Sequence, residues 1–123
     1  VKSRKYYASV QTAILAAPHV IQSEITFDEI SEEECYIRGI PTLSGGYELH
    51  MAEYVVTEPR FKRLKYRFHL QTSENKMLAR WDNAPHHPEV ETHPDHLHVG
   101  QKIKANSPVD VSEVLVALLS FIE

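Results

Sequence analysis

Residues 63–72 alternate without a break: Leu64, Tyr66, Phe68 and Leu70 share one parity, and Lys65, Arg67, His69 and Gln71 share the other. A side-chain period of two belongs to an extended strand with one dry face and one wet face. Ser73-Glu74-Asn75-Lys76 follows as a polar, hairpin-like connection, and residues 77–81 return as a second strand. The spacing therefore predicts an antiparallel pair whose apolar side needs a cover.

The two ends of the chain offer that cover. Over 3–17, Tyr6, Val10, Ala13, Ile14 and Ala17 recur at helical spacing until Pro18 stops the run. At the other end Asp110 has Glu113 three residues on, a capping-box pair, and Val111, Val114, Leu115, Leu118, Leu119 and Ile122 form an apolar stripe. Facing the core is the expected role of that stripe, with a homodimer contact near Phe121 and Ile122 as the alternative. Further strands are expected over 19–27, with Val20, Ile25 and Phe27 for burial, over 35–39, over 47–57, and briefly over 96–99 before Gly100. Ser44-Gly45-Gly46 marks a turn, because glycine tolerates positive φ. Residues 28–34 read as a turn or one short helix. The expected fold is α+β: an antiparallel sheet of about five strands with N-terminal and C-terminal helices packed on one face. The 123 residues make one domain with no room for a second.

Charge and cysteine content narrow the function classes. The net charge of -4 does not advertise a nucleic-acid binder, but the charges are segregated. Glu24, Asp28, Glu29, Glu32, Glu33 and Glu34 gather in one stretch, and Arg60, Lys62, Arg63, Lys65 and Arg67 in another. Such runs are either solvated faces or, for the basic one, a polyanion contact. Cys35 is the only cysteine, so no intrachain disulfide forms, and its strand-like setting predicts a buried apolar role. No run approaches the roughly 20 apolar residues that cross a bilayer, and no signal-like N-terminus is present. A cytoplasmic location without membrane association is the expectation. The glycines form neither a P-loop nor a dinucleotide fingerprint. Glu53 stands out as an acid on the otherwise apolar parity of Tyr47, Leu49, Met51 and Val55. It reads either as an edge position facing water or as a site residue.

Between Asp82 and His98 the sequence concentrates five histidines, His86, His87, His93, His96 and His98, among Asp82, Asn83, Glu89, Glu91 and Asp95. Pro85, Pro88 and Pro94 make this stretch an ordered, irregular connection rather than a helix. Imidazole suits both proton removal and proton donation near neutral pH, so one reading is metal-free cleavage of an RNA phosphodiester. Arg67, Lys65 and Arg80 would then stabilise charge on phosphate. A second reading is a divalent metal such as zinc, since His96 and His98 share one side of an extended segment and Asp82, Glu53 or His93 would complete the shell, although no HExxH is present. A third is a non-enzymatic protein that blocks a nucleic-acid or protein target. Histidines that only cap turns are the plain alternative to all three. Asp82 either orients a histidine or caps the turn with Asn83. Trp81, Tyr54 and Tyr66 read as packing aromatics before they read as base-stacking platforms.

The segments Tyr66-Arg67-Phe68-His69, Arg80-Trp81-Asp82-Asn83-Ala84-Pro85-His86-His87-Pro88-Glu89 and His96-Leu97-His98-Val99-Gly100, with Glu53-Tyr54 upstream, resemble the TumE family. The resemblance spans 47–123 and leaves the N-terminal helix and the acidic stretch outside it. It implies the toxin of a two-gene toxin–antitoxin system, held inactive by a cognate, DNA-binding antitoxin. Carried over by position, it singles out Glu53, Arg67, Asp82, His86, His87, His96 and His98, while His93 falls at a less fixed position of the motif. RNA cleavage is the expected action. His86 or His87 serves as general base and His96 or His98 as acid, Arg67 meets phosphate, and Glu53 or Asp82 orients a catalytic side chain.

Overall fold

The computed structural model describes residues 2–122; Val1 and Glu123, both counted in the expected domain, lie outside them. The N-terminal helix α1 (Lys2–Ala16) leads into seven strands: β1 (Val20–Ser31), β2 (Glu34–Leu43), β3 (Glu48–Val56), β4 (Lys62–Gln71), β5 (Met77–Asp82), β6 (His96–Val99) and β7 (Lys102–Ala105). Helix α2 (Val111–Ala117) and one 3₁₀ turn, Leu118–Ser120, end the chain. The sheet is a meander, ordered β1-β2-β3-β4-β5-β6-β7, with each pair antiparallel.

The alternation is realised from Tyr66 on; Leu64, expected on the same buried face, is exposed and lines the opposite side, because the register shifts there and pairs Tyr54 with Lys65 but Val55 with Arg63. Tyr66, Phe68 and Leu70 are buried, as are Leu49, Met51 and Val55 on β3, Ala79 and Trp81 on β5, and Cys35, Ile37 and Leu43 on β2. Val10 and Ile14 of α1 and Val111, Val114 and Leu115 of α2 join the same core, so both helices cover one sheet face. Burying a side chain such as Phe68 or Leu70 stabilises the fold by about 2 kcal/mol each. The start of α1 is pinned as well: Ser3 donates its backbone N–H to the Glu32 carbonyl and its hydroxyl to the Ser31 carbonyl. Cys35 is fully buried, and that burial pushes its thiol up to about 11.

The sheet has seven strands rather than about five. Residues 28–34, expected as a turn or a short helix, are strand except at Glu32 and Glu33, because β1 stays paired with β2 as far as Ser31↔Glu34. Basic groups from neighbouring elements make the acids tolerable there: Arg4 binds Glu29 through two hydrogen bonds of 2.7 and 2.8 Å, and Arg38 reaches Asp28 at 3.3 Å. The seventh strand is short and largely exposed, and it forms because Gly100, at φ 61°, lets the chain turn back from β6. The capping box at Asp110 forms with Glu113. The apolar stripe beyond it does not stay one helix, since α2 tightens into the 3₁₀ turn, which leaves Leu119 48% exposed and brings Phe121 edge-on to Trp81.

Candidate functional site

Both helices lie on one side, and the opposite sheet face is free of helices. Residues of the other parity line up on it. Cross-strand register places His50, His69, Arg80 and His98 in one row over β3 to β6, and Ala52, Arg67, Asp82 and His96 in the next. Directly paired residues in such rows lie close enough for their side chains to interact.

At one end of these rows the polar atoms converge. His96 Nε2 is 3.0 Å from Asp82 Oδ1 and 3.0 Å from His98 Nε2, and His98 Nε2 is 3.8 Å from Asp82 Oδ2. His87, from the connection between β5 and β6, sets its ring edge-on to both, at centroid distances of 5.2 and 5.5 Å. One ring nitrogen of each of His87, His96 and His98 lies within 4.8 Å of those of the other two. The cluster is sheltered: the His96 side chain is 2% exposed and that of Asp82 9%.

Surrounding groups fix which nitrogens carry protons. His96 Nδ1 is 2.8 Å from the Pro94 carbonyl, which only accepts, so Nδ1 is the donor. His87 Nδ1 is held in the same way by the Glu89 carboxylate at 3.3 Å. The Asp82 carboxylate is anchored through Oδ1 by the Ala84 N–H at 2.9 Å. In a neutral His96 ring, Nε2 then presents a lone pair to a carboxylate oxygen and to another imidazole nitrogen. A neutral His98 can meet that lone pair as an Nε2–H donor, but the contact between His96 Nε2 and the Asp82 oxygen is attractive only with a positive charge between them, a proton or a cation. Burial, with help from the charges of His96, Arg80 and His87, holds the His98 imidazole below its ordinary value against the pull of Asp82.

Beside the cluster runs a groove of about 980 Å³ lined by Lys65, Arg67, Arg80, Asp82, His86 and the rings of Tyr36 and Tyr54, among others. The two tyrosine rings are 6.4 Å apart, and the Arg38 guanidinium lies over Tyr36 at 5.3 Å. Arg80 Nε donates to His69 Nδ1 at 3.1 Å, while Lys65 and Arg67 are exposed. Asn83 continues the sheet where β5 ends. It accepts from the Tyr66 N–H at 3.0 Å and donates to the Leu64 carbonyl at 3.3 Å, which seats the histidine connection against β4.

Of the residues expected at the site, Asp82, His87, His96 and His98 come together, and Lys65, Arg67, Arg80 and His86 border the groove next to them. Asp82 lies 3.0 Å from His96 Nε2 and caps the turn through the Ala84 N–H. Glu53 is neither at a wet edge nor with the histidines. It lies on central β3 and adjoins the groove, but its carboxylate is on the helix side, fully buried and accepting a short hydrogen bond from the Tyr6 hydroxyl. His93 is exposed and is not among the converging imidazoles, so His87 takes the place expected for it in a metal shell. Trp81 is a core residue. Glu89, His69, His50 and Tyr36 went unassigned in the sequence. Glu89 had a signal in its spacing of two from His87, and His69 and His50 in their parity with Arg67 and Ala52.

Among the described residues no helix is long and apolar enough to cross a membrane. A family model described as Toxin TumE matches residues 10–123. The match takes in the second half of α1, from Val10, and all of β1 and β2, which the motif resemblance had left outside. No curated protein and no solved structure matches the chain.

Proposed function

From the premise that this chain belongs to the TumE toxin family, we propose that it is the toxin of a toxin–antitoxin pair, active in the cytoplasm until its antitoxin binds, and that it cleaves RNA. One observation carries this reading: the cationic groups of Lys65, Arg67 and Arg80 border a single groove that runs up to the Asp82–His87–His96–His98 cluster. A groove with cations along it and imidazoles at one end suits a phosphodiester, whose oxygens gain charge as the 2′-hydroxyl attacks. Tyr36 and Tyr54 supply ring faces for bases.

In the proposed reaction His86, exposed and on the groove, removes the 2′-hydroxyl proton, and the new P–O bond forms as the 5′-oxygen bond breaks. Positive charge held in the cluster stabilises the departing oxygen, which takes up a proton from water, and His86 gives the proton it removed back to solvent. Arg67 and Lys65 hold the phosphates. The products are a 2′,3′-cyclic phosphate and a free 5′-hydroxyl.

Incubation of the purified chain with total RNA, followed by end-group analysis, tests this. Cleavage with those ends is expected, and His86→Ala should lower its rate by about 10²–10⁴-fold. An inert wild type, or a His86→Ala variant that cleaves as fast, rejects the assignment.

A further inference from the structure

We infer that Asp82, His87, His96 and His98 bind one divalent transition-metal ion, of which zinc suits the donors best. Two ligands each about 2.1 Å from a common ion stand about 3.0–3.4 Å apart between right-angled and tetrahedral arrangements. The spacings of 3.0 Å from His96 Nε2 to both Asp82 Oδ1 and His98 Nε2 fall in that range; the 3.8 Å from His98 to the other oxygen, Asp82 Oδ2, and the His87 nitrogen, within 4.8 Å of those of His96 and His98, require those side chains to turn inward on the ion. Three imidazole nitrogens and one carboxylate oxygen form a donor set typical of zinc, with cobalt(II) and nickel(II) as chemical relatives.

Two further observations separate this cluster from a chance grouping of histidines. The Nδ1 of His96 is tied to the Pro94 carbonyl and that of His87 to Glu89, the outer arrangement that fixes a ligand ring and leaves Nε2 free for metal. With the His96 ring neutral, two acceptors, His96 Nε2 and Asp82 Oδ1, also face each other at 3.0 Å in a pocket where the His96 side chain is 2% exposed. A lone proton on His96 satisfies one contact, with Asp82 or with His98, whereas an ion satisfies all the donors together. Sequence alone favoured metal-free cleavage; this convergence favours the cation. The ion's binding stands on this geometry, while its part in catalysis, as the positive charge opposite the departing oxygen, rests on the RNA reading.

The test is calorimetric titration of zinc into tag-free, metal-stripped full-length chain, with cobalt(II) as an optical stand-in. One ion per chain is expected, together with a visible cobalt spectrum of imidazole–carboxylate coordination. His98→Ala and Asp82→Asn should each weaken zinc binding by more than about tenfold, and His93→Ala should leave it unchanged. Absence of stoichiometric binding by the wild type overturns the inference, as does a His93→Ala variant weakened as much as His98→Ala. The wild-type titration and the cobalt spectrum decide without any variant, should one fail to fold. Zinc bound with RNA left intact keeps the metal site and removes the nuclease reading. RNA cleaved by a chain that binds no zinc does the reverse.

Discussion

Burial beneath α1 makes Glu53 part of the core in spite of its charge. Tyr6 donates to its Oε1, Arg63 Nη1 stands 3.5 Å from the same oxygen, and among the described residues Oε2 has no partner. Burial pushes this carboxyl above its ordinary value, outweighing Tyr6 and Arg63. The native state therefore binds more protons than the unfolded chain above the usual glutamate range, and stability falls as pH rises through it. Glu53→Gln keeps an acceptor for Tyr6 and removes the charge. It should be close to neutral at pH 8 and should flatten that slope in urea denaturation. Glu53→Ala leaves the buried Tyr6 hydroxyl without its acceptor and should cost about 3 kcal/mol; equal losses in the two variants would show that the charge, and not the acceptor for Tyr6, is what matters. His69 titrates in the opposite sense. Burial, then Arg80, His50 and Arg67, hold its imidazole below the ordinary value, and its Nδ1 must stay bare to accept from Arg80. The unfolded chain binds the proton first, so stability is complete above the ordinary histidine pKa and declines as pH falls below it. Denaturation midpoints between pH 7.5 and 5 should show that decline, and His69→Gln, which still offers an acceptor, should reduce it. At this scale the sequence placed Arg67 and His69 correctly by parity. It put Glu53 on the apolar parity too, but its partner Tyr6 comes from 47 positions away and leaves no local trace.

Strands whose two faces differ in wetness were readable; strands wet on both were not. β4 announces itself through Tyr66, Phe68 and Leu70, and α2 through Asp110 and Glu113. β1 is mostly exposed along its length, so it lacks the contrast that periodicity detects, and its acids read as a turn. Its strand state depends on β2, and the two approach closely at Gly39, opposite Ile25. A methyl group there would meet Ile25 Cδ1 at 2.3 Å and the Glu24 carbonyl at 2.8 Å. The isoleucine tip can move, but the carbonyl belongs to the paired backbone. Gly39→Ala should therefore push β1 off β2 and cost about 2 kcal/mol in urea denaturation; an unchanged midpoint would mean that β1 yields at no cost.

The whole molecule separates its tasks by sheet face: helices and core on one side, cations and imidazoles on the other. The net charge of -4 hides this, since the acids of β1 and the bases of β4 belong to different regions. If the groove holds RNA, affinity falls with salt despite the acidic total. The slope of log affinity against log salt should become shallower by about 0.7 for each phosphate that Arg67→Ala or Lys65→Ala leaves without its cation, and filter binding at several ionic strengths would measure it. A slope indifferent to both residues would detach RNA from this face. The family motif was legible here because its residues lie in consecutive strands. Which histidines meet was not, because that depends on how the proline-rich connection folds over β5.

Half of the histidine cluster rides on a slender support. His96 and His98 belong to β6, four residues long, which pairs with β5 at three positions and is backed on its far side only by the four-residue β7. Arg67 and Asp82 sit instead on strands anchored in the core. Local opening costs least where few apolar contacts hold an element. The last hairpin is thus the lightest latch on the site, and displacing it would carry two imidazoles away from Asp82. A binding partner that wedged the latch ajar would disarm the protein without entering its groove.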